Sequence, residues 1–205
     1  MRKHDLLKTF QSAYKPNHST ETALLRVSND ILRALDNKQC VVLTLLDLSA
    51  AFDTIDRGIL LKTLETRLGI EGVALQWLDS YLSERCQCVL IDGVQSPTQK
   101  LPYGVPQGSV LGPLLFCAYM SELEDIIRKY NINFHIYADD TQLYLAFNRD
   151  DPAMTLQRLE SCIDDIKMWM VCHKLKLNDD KSELIVISSP HNKNEVNSIK
   201  IKICD

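Results

Sequence analysis

The stretch FHIYADDTQLYLAF, residues 134–147, reads as two short apolar strands joined by an acidic tip. Strand side chains alternate between faces, so Tyr137 and Asp139 share one side while Ile136 and Ala138 share the other. On that spacing Asp139 emerges where the core face of the hairpin gives way, with Asp140 at the turn. Taken alone, the pair serves equally well as turn chemistry, because aspartate accepts local backbone hydrogen bonds. A carboxylate elsewhere tips the balance. VVLTLL, residues 41–46, has no polar alternation and reads as a central strand buried on both faces, with Asp47 at its C-terminal end.

The remaining elements follow from periodicity and punctuation. Ser19 and Thr20 cap a helix that places Leu24, Val27, Ile31 and Leu35 at helical spacing and packs against the core. Asp53 or Asp56 caps a second helix, with Leu60, Leu61, Leu64 and Leu68 in a stripe that stops at Gly69. A third, roughly Gly72 to Leu82, carries Ala74, Trp77, Leu78 and Tyr81 on one face. RCQCVLIDGVQSPTQKL is a hairpin turning at Asp92-Gly93. GVPQG opens a helix that starts or kinks at Pro113. Asp150 and Asp151 precede Pro152, which starts a long helix bearing Leu156, Leu159, Ile163, Ile166 and Met170, and KLKLN and ELIVIS close the chain as strands. Hairpins mixed with helices, rather than repeated strand-helix-strand crossovers, predict an α+β fold.

Composition bounds the rest. At 205 residues, 45% hydrophobic and 24% charged, the chain can bury a substantial core without disorder. No apolar run approaches membrane-helix length, and the N-terminal MRKHDLLKTF lacks an apolar signal region, so the expectation is an intracellular protein with no membrane partner, nucleus and cytoplasm being indistinguishable. Seven scattered cysteines offer no disulfide framework, and Cys172-His173 lacks the partner spacing of a metal site. The net charge of −4 sits awkwardly with nucleic acid, which calls for a basic face.

If the strands ending at Asp47 and Asp139 are neighbours in one sheet, their carboxylates converge. Without a cation, such clustering raises the pKa of at least one of them. Mg²⁺ suits the arrangement, since that ion takes hard oxygen ligands, keeps waters and is completed by substrate phosphates. Two such ions activate a hydroxyl and steady a leaving oxygen, which is a phosphoryl-transfer site in outline.

Five segments in this order, QSAYKPNHSTETALL, LLDLSAAFDTID, GVPQGSVLGPLLF, YADDTQL and KLKLNDDKSELIVI, resemble the reverse transcriptases of non-LTR retrotransposons, the long interspersed element type. The resemblance implies the fingers and palm of a right-hand polymerase over residues 11–188, with an antiparallel palm sheet packed on helices. Fingers are expected at roughly 1–40 and 69–105, palm at roughly 41–68 and 106–188, and 189–205 as a tail, with the primer grip and thumb absent. It implies an RNA-directed DNA polymerase working on an RNA template, a DNA primer and deoxynucleoside triphosphates, with two Mg²⁺ ions for which Mn²⁺ can substitute. The alternative is a catalytically inactive truncated fragment that acts at most as a nucleic-acid or partner-binding module.

Residue by residue, Asp47, Asp139 and Asp140 match the metal-binding aspartates, with a backbone carbonyl from Leu48. Phe52 matches the aromatic under the sugar of the incoming nucleotide that disfavours a 2′-hydroxyl; spacing alone makes it a core phenylalanine. Pro106, Gln107 and Gly108 match the segment lining the nucleotide and template pocket, where spacing alone gives a turn before a helix. Lys181 matches the proposed general acid for the leaving pyrophosphate, and Asn178 shapes its turn. Lys15 stands where the family usually has arginine on the triphosphate; it keeps the charge and loses the bidentate fork, so weaker nucleotide binding is expected. If the basic template-holding surfaces lie in absent parts, an acidic palm is consistent with the charge.

Overall fold

A computed structural model describes residues 11–148 and 152–189. Its elements in chain order begin with α1 (Thr20–Asp36), β1 (Cys40–Leu46), β2 (Leu48–Ser49), α2 (Arg57–Leu68) and α3 (Gly72–Leu82). Four short strands follow, β3 (Cys86–Gln87), β4 (Leu90–Ile91), β5 (Val94–Gln95) and β6 (Gln99–Lys100). Next come α4 (Gly112–Tyr119), a 3-10 turn at Met120–Glu122, and α5 (Leu123–Lys129). The last are β7 (Asn133–Tyr137), β8 (Asp140–Phe147), α6 (Pro152–Cys172), β9 (Lys176–Leu177) and β10 (Glu183–Ile187). The tail beyond residue 189, Cys204, MRKHDLLKTF and the Asp150-Asp151 pair lie outside the described residues.

Contacts divide the chain into two units. The first runs up to Ser49 and resumes at Met120; the second is Ala50–Tyr119. The first is built on a four-stranded antiparallel sheet in the order β10-β1-β8-β7. The unbroken apolar run of β1 is explained by its place between two partners and its burial on both faces. Register runs from Cys40 opposite Phe147 to Leu46 opposite Thr141. Helix α1 covers one face, where Val27 and Ala34 pack with Val41 and Tyr144. Helix α6 lies against β8 and α5, burying Leu159, Ile163, Ile166 and Met170 as its period predicts. Among the described residues no helix is long and apolar enough to cross a membrane.

Helix α1 starts where expected, with Ser19 and Thr22 forming a reciprocal capping box. Its buried stripe differs from the expected one. Val27 is buried and Ile31 packs against the core, but Ala23 and Ala34 complete the stripe, while Leu24 is 57% exposed and Leu35 only half-buried. Alanine gives little hydropathy signal, yet its small side chain lets the helix axis approach the sheet, and that closeness decides which face turns inward. Tyr144, on the covered sheet face, donates its hydroxyl to Asp30 Oδ2 at 2.6 Å, tying β8 to α1.

The second unit packs α2 against α3 and α4. Asp56 rather than Asp53 caps α2, accepting from the Ile59 N–H at 3.0 Å, and Gly69 ends it in the left-handed conformation. Leu60 and Leu64 are fully buried. The β4–β5 hairpin turns at Asp92 and Gly93, both at positive φ, as the Asp-Gly signal predicts. Pro113 occupies the first turn of α4, so that helix starts without a kink. The expected face of α3 is not a core face: Trp77 is 55% exposed and stacks on Tyr81 at 5.6 Å, and Leu82 is the helix's buried residue.

Leu143, fully buried at the centre of β8, sets a test of this packing. Leu143→Ala is expected to cost about 3 kcal/mol in urea unfolding, whereas Leu24→Ala costs less than about 0.5 kcal/mol. A larger loss at Leu24 would contradict the observed face of α1.

Candidate functional site

The acidic end of the first unit's sheet is fixed by register. Tyr137 pairs with Asp140 across the β7–β8 hairpin, so Ala138 and Asp139 form the turn and Asp140 is the first residue of β8. This corrects the expectation that Asp140 sits at the turn and that strand alternation runs through to Asp139. Ala138 has φ 57°, and a left-handed residue breaks the alternation before Asp139 is reached. For an alanine this conformation costs roughly 1–2 kcal/mol. On β1, Leu46 is opposite Thr141, and continuing that register by one residue sets Asp47 opposite Asp140.

Asp47 is half-buried and held by the loop between β9 and β10. The Asn178 N–H donates to the Asp47 carbonyl at 2.9 Å, and Asn178 Nδ2 donates to Asp47 Oδ2 at 3.2 Å. Lys181 Nζ lies 3.7 Å from the same oxygen, on a side chain 71% exposed. Asn178 also accepts through its carbonyl from the Lys181 and Ser182 N–H groups, so one turn presents both the amide and the ammonium to Asp47. Leu48, next along, is buried in β2 opposite Leu177.

The Asp140 carboxyl is pushed above the ordinary aspartate range, first by desolvation, then by the negative charges of Asp139 and Asp47, with Lys181 pulling the other way. Asp140 is exposed as a residue, so its desolvation is partial; the repulsion is what identifies three carboxylates sharing one field. Among the described residues no group of three or more His, Cys, Asp or Glu side chains is arranged to hold a metal ion by itself. The Asp140 carboxyl, its pKa raised partly by two neighbouring carboxylates, has the donor chemistry that a hard cation relieves.

Lys15, also in the first unit, is half-buried in the turn after Gln11, its carbonyl accepting from the His18 N–H at 3.4 Å. The remaining predicted residues lie in the second unit. Phe52 is half-buried and stacks on fully buried Phe116 with centroids 4.5 Å apart. Its carbonyl accepts from the Val105 N–H at 3.0 Å, which brings the GVPQG segment alongside. Gly104 sits so close that a Cβ there would lie 3.0 Å from the backbone of Asp53. Gln107 is exposed and donates from Nε2 to Asp53 Oδ1 at 2.7 Å. Together Gln107, Asp53, Arg85 and Tyr103 line a recess of about 520 Å³; Phe52, Pro106 and Gly108 do not line it. His173, the partner of Cys172 in sequence, stacks on Trp169 and pairs with Glu122 at 3.3 Å, a structural setting.

Residues 1–201 match the family model described as reverse transcriptase (RNA-dependent DNA polymerase). The chain belongs to the reverse transcriptase family.

Among curated relatives, this reverse transcriptase chain is 32% identical over 178 residues to the RNA-directed DNA polymerase from mobile element jockey of Drosophila melanogaster, covering 84% of the chain and 19% of that protein. It is 27% identical over 187 residues to the probable RNA-directed DNA polymerase from transposon BS of the same fly, covering 89% and 20%. The chain thus spans about a fifth of the length of these relatives. The mobile-element relatives bear out the resemblance to non-LTR retrotransposon enzymes. Solved telomerase structures share the fold: one from Candida tropicalis, truncated from the C-terminal domain, at TM-score 0.67 and 15% identity over 92% of this chain and 38% of that one. Another, from Candida albicans with a fragment of telomeric RNA, gives TM-score 0.65 and 13% identity over 88% and 32%. The α+β polymerase fold, with an antiparallel sheet on helices, is the one expected.

Two contacts in this reverse transcriptase domain escape sequence reading. Asn178 has a turn-forming signal, but nothing in NDDKSE says that its amide reaches Asp47. Asp53 reads as a helix cap and instead orients Gln107.

The pKa order provides a test in the metal-free domain. Asp140 has a raised pKa, so its neutral form favours the fold and its contribution is lost as pH rises through that pKa. Carboxyl-carbon NMR titration should show the Asp140 pKa falling on Asp139→Asn, falling by less on Asp47→Asn, and rising on Lys181→Met. An Asp140 titration indifferent to all three would break up the proposed cluster.

Proposed function

We propose that the chain is the catalytic core of a retrotransposon RNA-directed DNA polymerase, transferring a nucleotide from a deoxynucleoside triphosphate to a primer 3′-hydroxyl on an RNA template. The observation that carries this reading is the β1–β8 register, which ends with Leu46 opposite Thr141 and so supports Asp47 standing beside the hairpin end that bears Asp139 and Asp140. The family match and the mobile-element relatives support it.

In this reading Asp47, Asp139, Asp140 and the Leu48 carbonyl would hold two Mg²⁺ ions, with Mn²⁺ as a substitute, and that pair would supply activation of the primer hydroxyl and charge neutralisation at the departing phosphates. The primer O3′ forms a bond to the α-phosphorus as the bond to the bridging oxygen breaks, and pyrophosphate leaves. Lys181 Nζ gives the leaving group its proton, and the 3′-hydroxyl proton passes to solvent. The same ammonium lies 3.7 Å from Asp47 Oδ2, where its charge offsets part of the carboxylate repulsion on Asp140.

Asn178 keeps Asp47 from rotating away between turnovers by gripping both its carbonyl and one carboxylate oxygen. Phe52, braced by Phe116, is rigid enough to exclude a 2′-hydroxyl by contact. The Asp53 bond orients the Gln107 amide, with Pro106 and Gly108 shaping the loop around it. Lys15 takes the triphosphate as a point charge rather than a fork. Of the described residues, 41–68, 106–148 and 152–188 then serve as palm, and 11–40 and 69–105 as fingers.

Primer extension on an RNA template with Mg²⁺ or Mn²⁺ tests the assignment. Asp139→Asn is expected to abolish incorporation, and undiminished synthesis by that variant would sink the site. Lys181→Met should lower kcat roughly 100-fold with little change in KM, the scale of a lost general acid. Phe52→Val should admit ribonucleotides without losing deoxynucleotide incorporation; unchanged sugar selection would remove Phe52 from that role.

A further inference from the structure

The turn that presents Asp139 depends on a residue to which no role has yet been given. Ala138 is in the left-handed region that glycine occupies freely, and it is only 7% exposed. Gln11, 127 positions earlier, is 6% exposed and grips it from both sides. Gln11 Nε2 donates to the Ala138 carbonyl at 3.3 Å, while Gln11 Oε1 accepts from the Ala138 N–H at 3.1 Å and from the Ala13 N–H at 2.9 Å. The clamp is itself anchored, since the Ser12 N–H donates to the Ile136 carbonyl at 3.0 Å and Gln11 bridges Ile136 in parallel register.

We propose that Gln11 is a positioning residue for the carboxylate site, holding the Ala138–Asp139 turn in the form that aims Asp139 and starts β8 at Asp140. The Ala138 carbonyl belongs to the planar peptide that leads into Asp139, so fixing that oxygen fixes the plane from which the aspartate departs. A side chain serving only to fill space would not need an oriented amide. Gln11 uses its donor and its acceptor on the same residue, the one immediately before the first aspartate of the pair. The catalytic consequence rests on the polymerase reading above; the clamp itself does not.

The test compares Gln11→Met, which keeps length and loses the polar contacts, with Gln11→Glu, which keeps the acceptor and loses the donor, and with Gln11→Met/Ala138→Gly. Glycine adopts the left-handed turn without a clamp, so the double variant separates turn geometry from general stability. Three readouts apply: amide hydrogen exchange at Ala138 and Asp139, Mn²⁺ affinity by calorimetry, and steady-state nucleotide incorporation. Gln11→Met should speed exchange about tenfold and weaken Mn²⁺ binding by a similar factor. It should lower kcat roughly 100-fold, with nucleotide KM changed less than about threefold. The glycine double variant should recover most of the kcat and of the Mn²⁺ affinity.

Unchanged exchange at Ala138 in Gln11→Met would overturn the proposal, as would a loss of Mn²⁺ affinity that Ala138→Gly does not repair. If Gln11→Met does not fold, Gln11→Glu decides the same question at the Asp139 N–H, which shares a peptide with the carbonyl that loses its donor: faster exchange there supports the clamp, and exchange equal to the parent's refutes it. Failure of the parent chain to incorporate nucleotides would count against the polymerase reading alone, because exchange and Mn²⁺ binding still judge Gln11.

Discussion

The antiparallel pairing of β1 with β8 is the constraint on which the acidic site depends. Two strands far apart in sequence are locked by continuous register from Cys40 opposite Phe147 to Leu46 opposite Thr141. Because side-chain orientation in a strand has a period of two, a slip of one residue would turn Leu143 outward and separate Asp47 from Asp140. Core packing and the position of the carboxylates are therefore the same decision. The fully buried Leu143 that secures one also secures the other.

The cluster has a built-in conflict. Desolvation and then the charges of Asp139 and Asp47 oppose the ionisation of Asp140, whose pKa is raised. The fold contains this repulsion rather than removing it: Asn178 and Lys181 both engage Asp47 Oδ2, and Gln11 fixes the turn before Asp139. Polar contacts of this kind are most useful where the neighbouring charge pushes a side chain away from the geometry that function needs.

Much of this was legible in the sequence, and the failures have physical causes. VVLTLL announced a doubly paired strand, Asp92-Gly93 its hairpin, and Gly69 the end of α2, because local chemistry dictates each. The face of α1 was misread because Ala23 and Ala34, nearly silent on any hydropathy scale, outweigh Leu24 once the helix docks. Strand alternation failed at Ala138 because no glycine or asparagine marks the left-handed turn, and what stabilises it is Gln11, remote in the chain. Motif order singles out the three aspartates as candidates, but not what holds Asp47 and the turn before Asp139, since Asn178 and Gln11 each act through a pair of long-range hydrogen bonds that leaves no periodic trace.

The chain order of the sheet has a kinetic cost during synthesis. Strand β1 is made before its partners β8 and β10, so Val41 waits for Ala146 on one side and Ile187 on the other, with the whole of the second unit made in between. Such long loop closures slow folding and leave an apolar strand without its ladder on the ribosome. The continuity of VVLTLL that makes it a good centre for the finished sheet makes it a sticky segment in the unfinished one. Until β10 has been made, the strand that leads to Asp47 has one edge open to pairing with another chain.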